Sequence, residues 1–244
     1  VASEINSTAI GTEAEATAEN SIAIGDSAKT SAANATAVGT LAVANQLSSS
    51  AYGTEAKATG NRSMAFGASS MANEQNTIAI GTGAEATGIN STAIGLDASV
   101  SGKNSIALGR KAITAGTNST AVGSLAKAKG NQSVAIGRGA RSDQFGATAL
   151  GARSNALGAR SIAIGAYANA TQACSMAIGL EAESTAANSI AIGDSATTSA
   201  DNATAVGTLA VANQLSSSAY GTEAAATGER SMAFGASAAA NKQN

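Results

Sequence analysis

The chain has no histidine, no proline and no tryptophan, a single cysteine, and aromatic residues at only 2% of its 244 positions. Each shortage removes a class of function. Without histidine, the usual near-neutral general base and the commonest nitrogen ligand for a metal are missing. Cys174 can form no intrachain disulfide and supplies no cysteine-based zinc site, so it reads as a substitution tolerated in a turn. Fourteen basic against 16 acidic residues leave a formal net charge of −2, which argues against a nucleic-acid partner. No apolar run approaches the roughly 18–20 residues a membrane helix needs, and the opening residues do not read as a signal peptide.

What the chain has instead is a metronomic glycine. It recurs every 14 residues from Gly11 to Gly235, 17 times, with no insertion or deletion. A repeat this strict predicts a stack of identical supersecondary units, forming one repeat domain over residues 1–244. Both ends fall inside the array, so the chain reads as an excised fragment. Residues 187–244 nearly repeat 19–76 at an offset of 168, which is 12 whole coils. In-frame duplication of that kind lengthens a solenoid without breaking its register.

Positions are numbered here relative to each marking glycine. Position −2 is always Ala and position −1 is always a larger apolar residue. Position −4 is Ser in 13 units and position −5 is Asn in nine, so the unit reads as Asn20-Ser21-Ile22-Ala23-Ile24-Gly25. After the glycine, +3 is Ala in 15 units, +5 is small or β-branched, and +2 and +4 collect charged and polar residues. The alternation from +2 to +5 predicts a strand with one wet and one buried face. Positions −4 to −1 carry no charge and predict a second strand buried on both faces. Turn residues separate them: Asn or Arg at −5 and clusters such as Thr59-Gly60-Asn61. The expected fold is therefore all-β, a solenoid of two short parallel strands and two tight turns per coil. So much Gly, Asn, Ser and Thr argues against a helical repeat.

The two faces of the uncharged strand need different partners. The invariant Ala at −2 suits a narrow interior, and the tolerant −1 position suits contact with another subunit; the reverse orientation is open at this stage. A core of methyl groups contributes about 0.8 kcal/mol or less per group. Ordering one backbone residue costs about 1–2 kcal/mol. The uncharged strand therefore calls for a second covering surface, and self-association is the economical one. The candidate face is Ile10, Ile24, Val38, Tyr52, Phe66, Ile80, Ile94, Leu108, Val122, Ile136, Leu150, Ile164, Ile178, Ile192, Val206, Tyr220 and Phe234.

The Asn-Ser-x-Ala-Ile-Gly motif at this spacing resembles the head domains of trimeric autotransporter adhesins of the Yersinia-adhesin type. The likeness covers essentially the whole chain and is direct at Asn20 to Gly25 and Asn104 to Gly109. It loosens at Ser48 to Gly53 and at Gly146 to Gly151, where the leading Asn is absent. The resemblance implies a left-handed parallel β-roll assembled as a homotrimer, which makes the −1 row a candidate trimer interface. It further implies the outer surface of a Gram-negative bacterium, attachment to host collagen, fibronectin or laminin, and in many members self-aggregation. The family's neck, heptad-repeat stalk and membrane-anchoring segment have no counterpart in these residues.

Charge is segregated along the array. Nine of the 14 basic residues lie between Lys103 and Arg160 with one acid, Asp143, so that segment is +8 and the remainder, −2 minus +8, is −10. Lys111, Lys127, Arg141 and Arg153 occupy +2 or +4 of four consecutive coils and predict a basic ladder at about 4.8 Å steps. Arg110, Lys129 and Arg138 lie nearby. The band is either a solvated surface that keeps sheets from sticking or a dock for an acidic partner such as a glycan.

Other functions fit less well. Left-handed β-helix acyltransferases repeat every six residues and use a histidine, and the scattered acids converge on no site, so the chain reads as a non-enzyme with no cofactor or metal. An ice-binding solenoid needs a flat exposed array of Thr, whereas Thr reaches six of 17 units at −3. Regularly spaced Asp for a calcium-binding roll is absent. A passive spacer within an adhesin fibre stays as the alternative to a ligand-binding head.

Overall fold

The computed structural model describes residues 1–242. The end of the second duplicated segment, residues 243 and 244, lies outside the described residues. The chain divides into two compact units, Val1–Leu125 and Ala126–Asn244. Both are built from one coil: a three-residue strand ending just before the marking glycine, then a two-residue strand at +4 and +5. Around Gly25 these are Ile22–Ile24 and Lys29–Thr30.

In the first unit the three-residue strands run from Thr8–Ile10 to Thr120–Val122 and the two-residue strands from Glu15–Ala16 to Ile113–Thr114. In the second they run from Val134–Ile136 to Met232–Phe234 and from Lys127–Ala128 to Ala239–Ala240. Within each unit every strand pairs in parallel with the equivalent strand of the next coil. Ile22, Ala23 and Ile24 face Thr36, Ala37 and Val38 in the first, and Ile162, Ala163 and Ile164 face Met176, Ala177 and Ile178 in the second. The chain thus forms the all-β parallel solenoid of 14-residue coils that the periodicity predicts.

Side chains sort by the period-two rule. Ala23 at −2, Ala28 at +3 and Thr30 at +5 are fully buried or nearly so, and the same three positions line the interior of both units. The interior is almost entirely methyl-sized; Val100 is its largest side chain. This settles the orientation left open by the sequence: the invariant Ala points inward, and −1 and −3 point outward. The row of Ala is the size limit of a roll too narrow for anything larger.

Two expectations need correction. The strand after the glycine covers +4 and +5 alone, because +2 lies in a turn with a left-handed backbone, as at Ser27 (φ 54°) and Lys111 (φ 56°). Its amide bonds to the previous coil, Ser27 N–H to the Thr12 carbonyl at 2.8 Å. The other strand spans −3 to −1 rather than −4 to −1. In most coils the Ser at −4 is buried and turns its hydroxyl back onto the preceding turn, as Ser21 Oγ donates to the Ala18 carbonyl at 2.6 Å and Ser63 Oγ to that of Gly60 at 2.7 Å. Serine is preferred there because a buried hydroxyl needs a partner and this one sits within the same turn.

The marking glycine is required twice over. Gly165 has φ +129°, and a Cβ built on it would lie 2.2 Å from the Gly179 carbonyl oxygen of the next coil. No L-residue meets both conditions. The Asn at −5 is left-handed as well, with φ 54° at Asn104. Asn tolerates that conformation better than most residues, and here its amides form a ladder: Asn76 to Asn90 at 2.9 Å, Asn90 to Asn104 at 3.0 Å and Asn104 to Asn118 at 3.2 Å.

Candidate functional site

Two outward surfaces of the coil carry residues that the fold itself does not need. The first is the outer side of the three-residue strands. Every member of the −1 row ends such a strand, and none of them is buried within the chain. Ile10, Phe66 and Leu108 in the first unit, and Ile136, Leu150 and Phe234 in the second, are openly exposed, and the rest are half-buried between neighbouring coils. The −3 residues beside them, such as Ile22, Met64 and Ile106, are also unburied. The expected double burial of this strand is therefore not achieved by one chain: its inner face is covered, and in each unit its outer face carries an unbroken apolar −1 row beside a −3 row drawn from Ile, Met, Val, Thr and Ser. Aromatic rings stack along it, Tyr52 on Phe66 at 5.4 Å and Tyr220 on Phe234 at 5.9 Å, so the duplicated segments reproduce the contact. Soluble monomers rarely leave contiguous apolar area of this kind uncovered.

The second surface is the outer side of the two-residue strands with its flanking turns. It does not carry the four-residue ladder that spacing predicts. Lys127 and Arg141, at +4, are direct register partners on adjacent strands of the second unit. Arg153, at +2, sits instead in the glycine turn with φ 57°, as Lys111 does in the first unit with φ 56°. Arg110 and Arg138, at +1, share that turn in their coils, and Lys129 follows a two-residue strand at its C-terminal end. All are exposed except Lys127, which is half-buried. The left-handed +2 residue splits the band into a strand row and a turn row.

The strand row is unusual in its charges. In the first unit the equivalent neighbours Glu15 and Lys29 have opposite signs and form an ion pair at 3.4 Å. Lys127 and Arg141 are like charges in the same relation, which opposes pairing. Arg141 turns instead to Asp143, whose hydrogen-bonded carboxylate raises its pKa above the ordinary arginine value.

Three further residues belong to this surface. The chain has six aromatic residues, four of them on the −1 row. The other two, Phe145 and Tyr167, are exposed in turns of the second unit, and each stacks with an arginine. The Arg153 guanidinium carbon lies 5.6 Å from the Tyr167 ring centre and that of Arg160 lies 5.9 Å from Phe145. The signal available in the sequence was their departure from the −1 row. Among the described residues there is no pocket and no group of His, Cys, Asp and Glu that could hold a metal. Cys174 is exposed at a left-handed −5 turn position, as its spacing suggests.

This arrangement, a parallel solenoid with a methyl-sized core and an apolar outer stripe, defines a class of repetitive β-proteins. The family model described as the YadA head domain repeat matches nine segments, residues 2–28, 31–56, 58–84, 86–112, 115–140, 145–168, 170–196, 199–224 and 226–244. The chain belongs to that family, which is not an enzymatic one. Among solved structures, the collagen-binding domain of the Yersinia adhesin YadA matches with 24% identity over 82% of this chain and 68% of that one, at a TM-score of 0.19. At that score the two do not superpose, and the family assignment stands on the repeats alone. No curated protein matches the chain.

Proposed function

We propose that the chain is the head of a bacterial adhesin displayed on the outer surface of a Gram-negative cell, where it attaches the cell to host matrix. The observation that carries this reading is the match of the YadA head repeat to nine segments along the whole sequence. The solved YadA relative is a collagen-binding domain, which makes collagen the first matrix ligand to test, with fibronectin and laminin beside it. The uncovered −1 and −3 stripe supports assembly through three copies, each burying the outer face that its own coils leave open. Three heads on one particle, and many particles on one cell, convert weak single contacts into firm attachment.

The experiment has two arms. Purified protein is sedimented to measure its mass and offered to collagen, fibronectin and laminin on a solid phase. The expected result is three times the chain mass, with saturable binding to at least one matrix protein. An Ile94→Asp and Ile178→Asp double variant places carboxylates in the stripe and is expected to dissociate the assembly. A well-folded wild-type protein at the mass of one chain overturns the trimer. A folded trimer that binds none of the three proteins identifies a passive spacer instead.

A further inference from the structure

We propose that the second unit carries a binding surface for a sulfated polysaccharide, centred on Lys127, Arg141, Arg153, Arg160, Phe145 and Tyr167. This deepens the adhesin reading and rests on it. Three independent observations meet on the two-residue strands and the turns that flank them.

The first is charge. Between residues 126 and 160 the second unit has six basic residues and one acid, Asp143, a net of +5. From 161 to 244 it has two basic and six acidic residues, a net of −4. The acid inside the band is itself occupied by Arg141. The second is the register of Lys127 beside Arg141 on adjacent strands, which sets like charges in neighbouring positions and favours an anion laid across both.

The third is the placement of the rings. Tyr167 and Arg153 form one platform in the glycine turn, and Phe145 and Arg160 form another in the opposite turn. The two-residue strands with Lys127 and Arg141 run between these turns. Both arginines lean over a glycine: a Cβ at Gly139 or Gly146 would meet Cγ of Arg153 or Arg160 at 3.6 Å. Those glycines leave the arginine stems room to lie along the surface.

A sulfated sugar chain matches this chemistry. Its rings present C–H faces that pack on exposed aromatic rings, and its sulfates accept paired hydrogen bonds from guanidinium groups. Coil spacing of about 4.8 Å places successive cations at a step close to that of successive sugars. An acidic peptide would use the cations and leave the two rings without a role.

The test is retention of the full chain on immobilised heparin, with desulfated heparin and polyglutamate as parallel probes. Matrix-protein binding is measured on the same samples, and circular dichroism and sedimentation check the fold of each variant. The expected result is salt-sensitive binding to heparin and at least tenfold weaker binding to desulfated heparin and to polyglutamate. An Arg153→Glu and Arg160→Glu double variant is expected to bind heparin about tenfold more weakly. A Phe145→Ala and Tyr167→Ala double variant, which leaves the charge unchanged, is expected to lose about threefold or more. Wild-type protein that fails to bind heparin overturns the proposal. So does equal binding of desulfated heparin or polyglutamate, or ring variants that bind as wild type does. Wild-type protein that binds collagen, fibronectin or laminin but not heparin defeats this inference and spares the adhesin reading. Heparin binding kept with no matrix protein bound does the reverse.

Discussion

Replacing one marking glycine by alanine tests the stacking geometry directly, and Gly165→Ala is the sharpest case. Gly165 has φ +129°, a region open to glycine and closed to residues with a Cβ. Holding alanine there costs about 1–3 kcal/mol. The new Cβ would also lie 2.2 Å from the Gly179 oxygen, far inside the 3.4 Å at which ordinary contact begins. Both atoms belong to rigid backbone, so the next coil must move away. That movement stretches the bonds from Gly179 N–H to the Ile164 carbonyl at 2.8 Å and from Glu181 N–H to the Ala166 carbonyl at 2.9 Å. Overpacking of this kind costs a further 1–3 kcal/mol or so, on the order of the backbone strain itself. The expected destabilisation is therefore roughly 2–6 kcal/mol, mostly between two coils.

Gly139→Ala is the matched control. Its φ is +69°, a conformation that side-chain-bearing residues adopt at the same slot in other coils, and its Cβ meets only the flexible Cγ of Arg153 at 3.6 Å. It should cost about 1 kcal/mol. Urea unfolding followed by circular dichroism at fixed protein concentration, analysed with a common slope, measures the difference. Gly165→Ala lying within about 1 kcal/mol of Gly139→Ala would falsify the two-part account of the repeat glycine.

The interior makes a second prediction. Ala163 is fully buried between Ala149 and Ala177, so Ala163→Leu should destabilise by about 1–3 kcal/mol or more, whereas Ile164→Leu on the outer face should keep the wild-type melting temperature to within a few degrees. A third concerns the asparagine ladder. Asn90→Ala loses the bonds to Asn76 and Asn104 and strains a residue at φ 56°, for about 1–3 kcal/mol by urea unfolding, and Asn90→Gly should recover the backbone share. A fourth follows from composition. With no histidine in the chain, heparin retention should fall with salt yet stay level between about pH 6 and 8 on the same column.

The coil was legible because each of its chemical demands recurs 17 times at one spacing. Gly at 0, Ala at −2 and Ser at −4 are each the sole or main residue that satisfies a local constraint, so repetition exposes the constraint. The left-handed +2 position was not legible. Glu13, Leu41, Lys111 and Tyr167 all occupy it, although none is a residue that favours positive φ. Their conformation is held by an amide bond to the coil before, as when Leu41 N–H donates to the Asp26 carbonyl and Tyr167 N–H to that of Ala152. Reading +2 as strand is what merged Lys111 and Arg153 into one ladder with Lys127 and Arg141.

From its residues alone the chain determined its period and its class, since those rest on steric limits that act within a coil or between equivalent positions. Only the folded arrangement decided which side of the −3 to −1 strand faces out, where the cations divide between strand and turn, and which arginine meets which ring. Arg153 on Tyr167 and Arg160 on Phe145 are pairs 14 and 15 residues apart along the chain, brought together by the stacking of one coil on the next. The alternating pattern favoured Ala inward but left the reverse open, and volume decided: the interior holds Ala, Ser, Thr and Val100, while Ile stays outside.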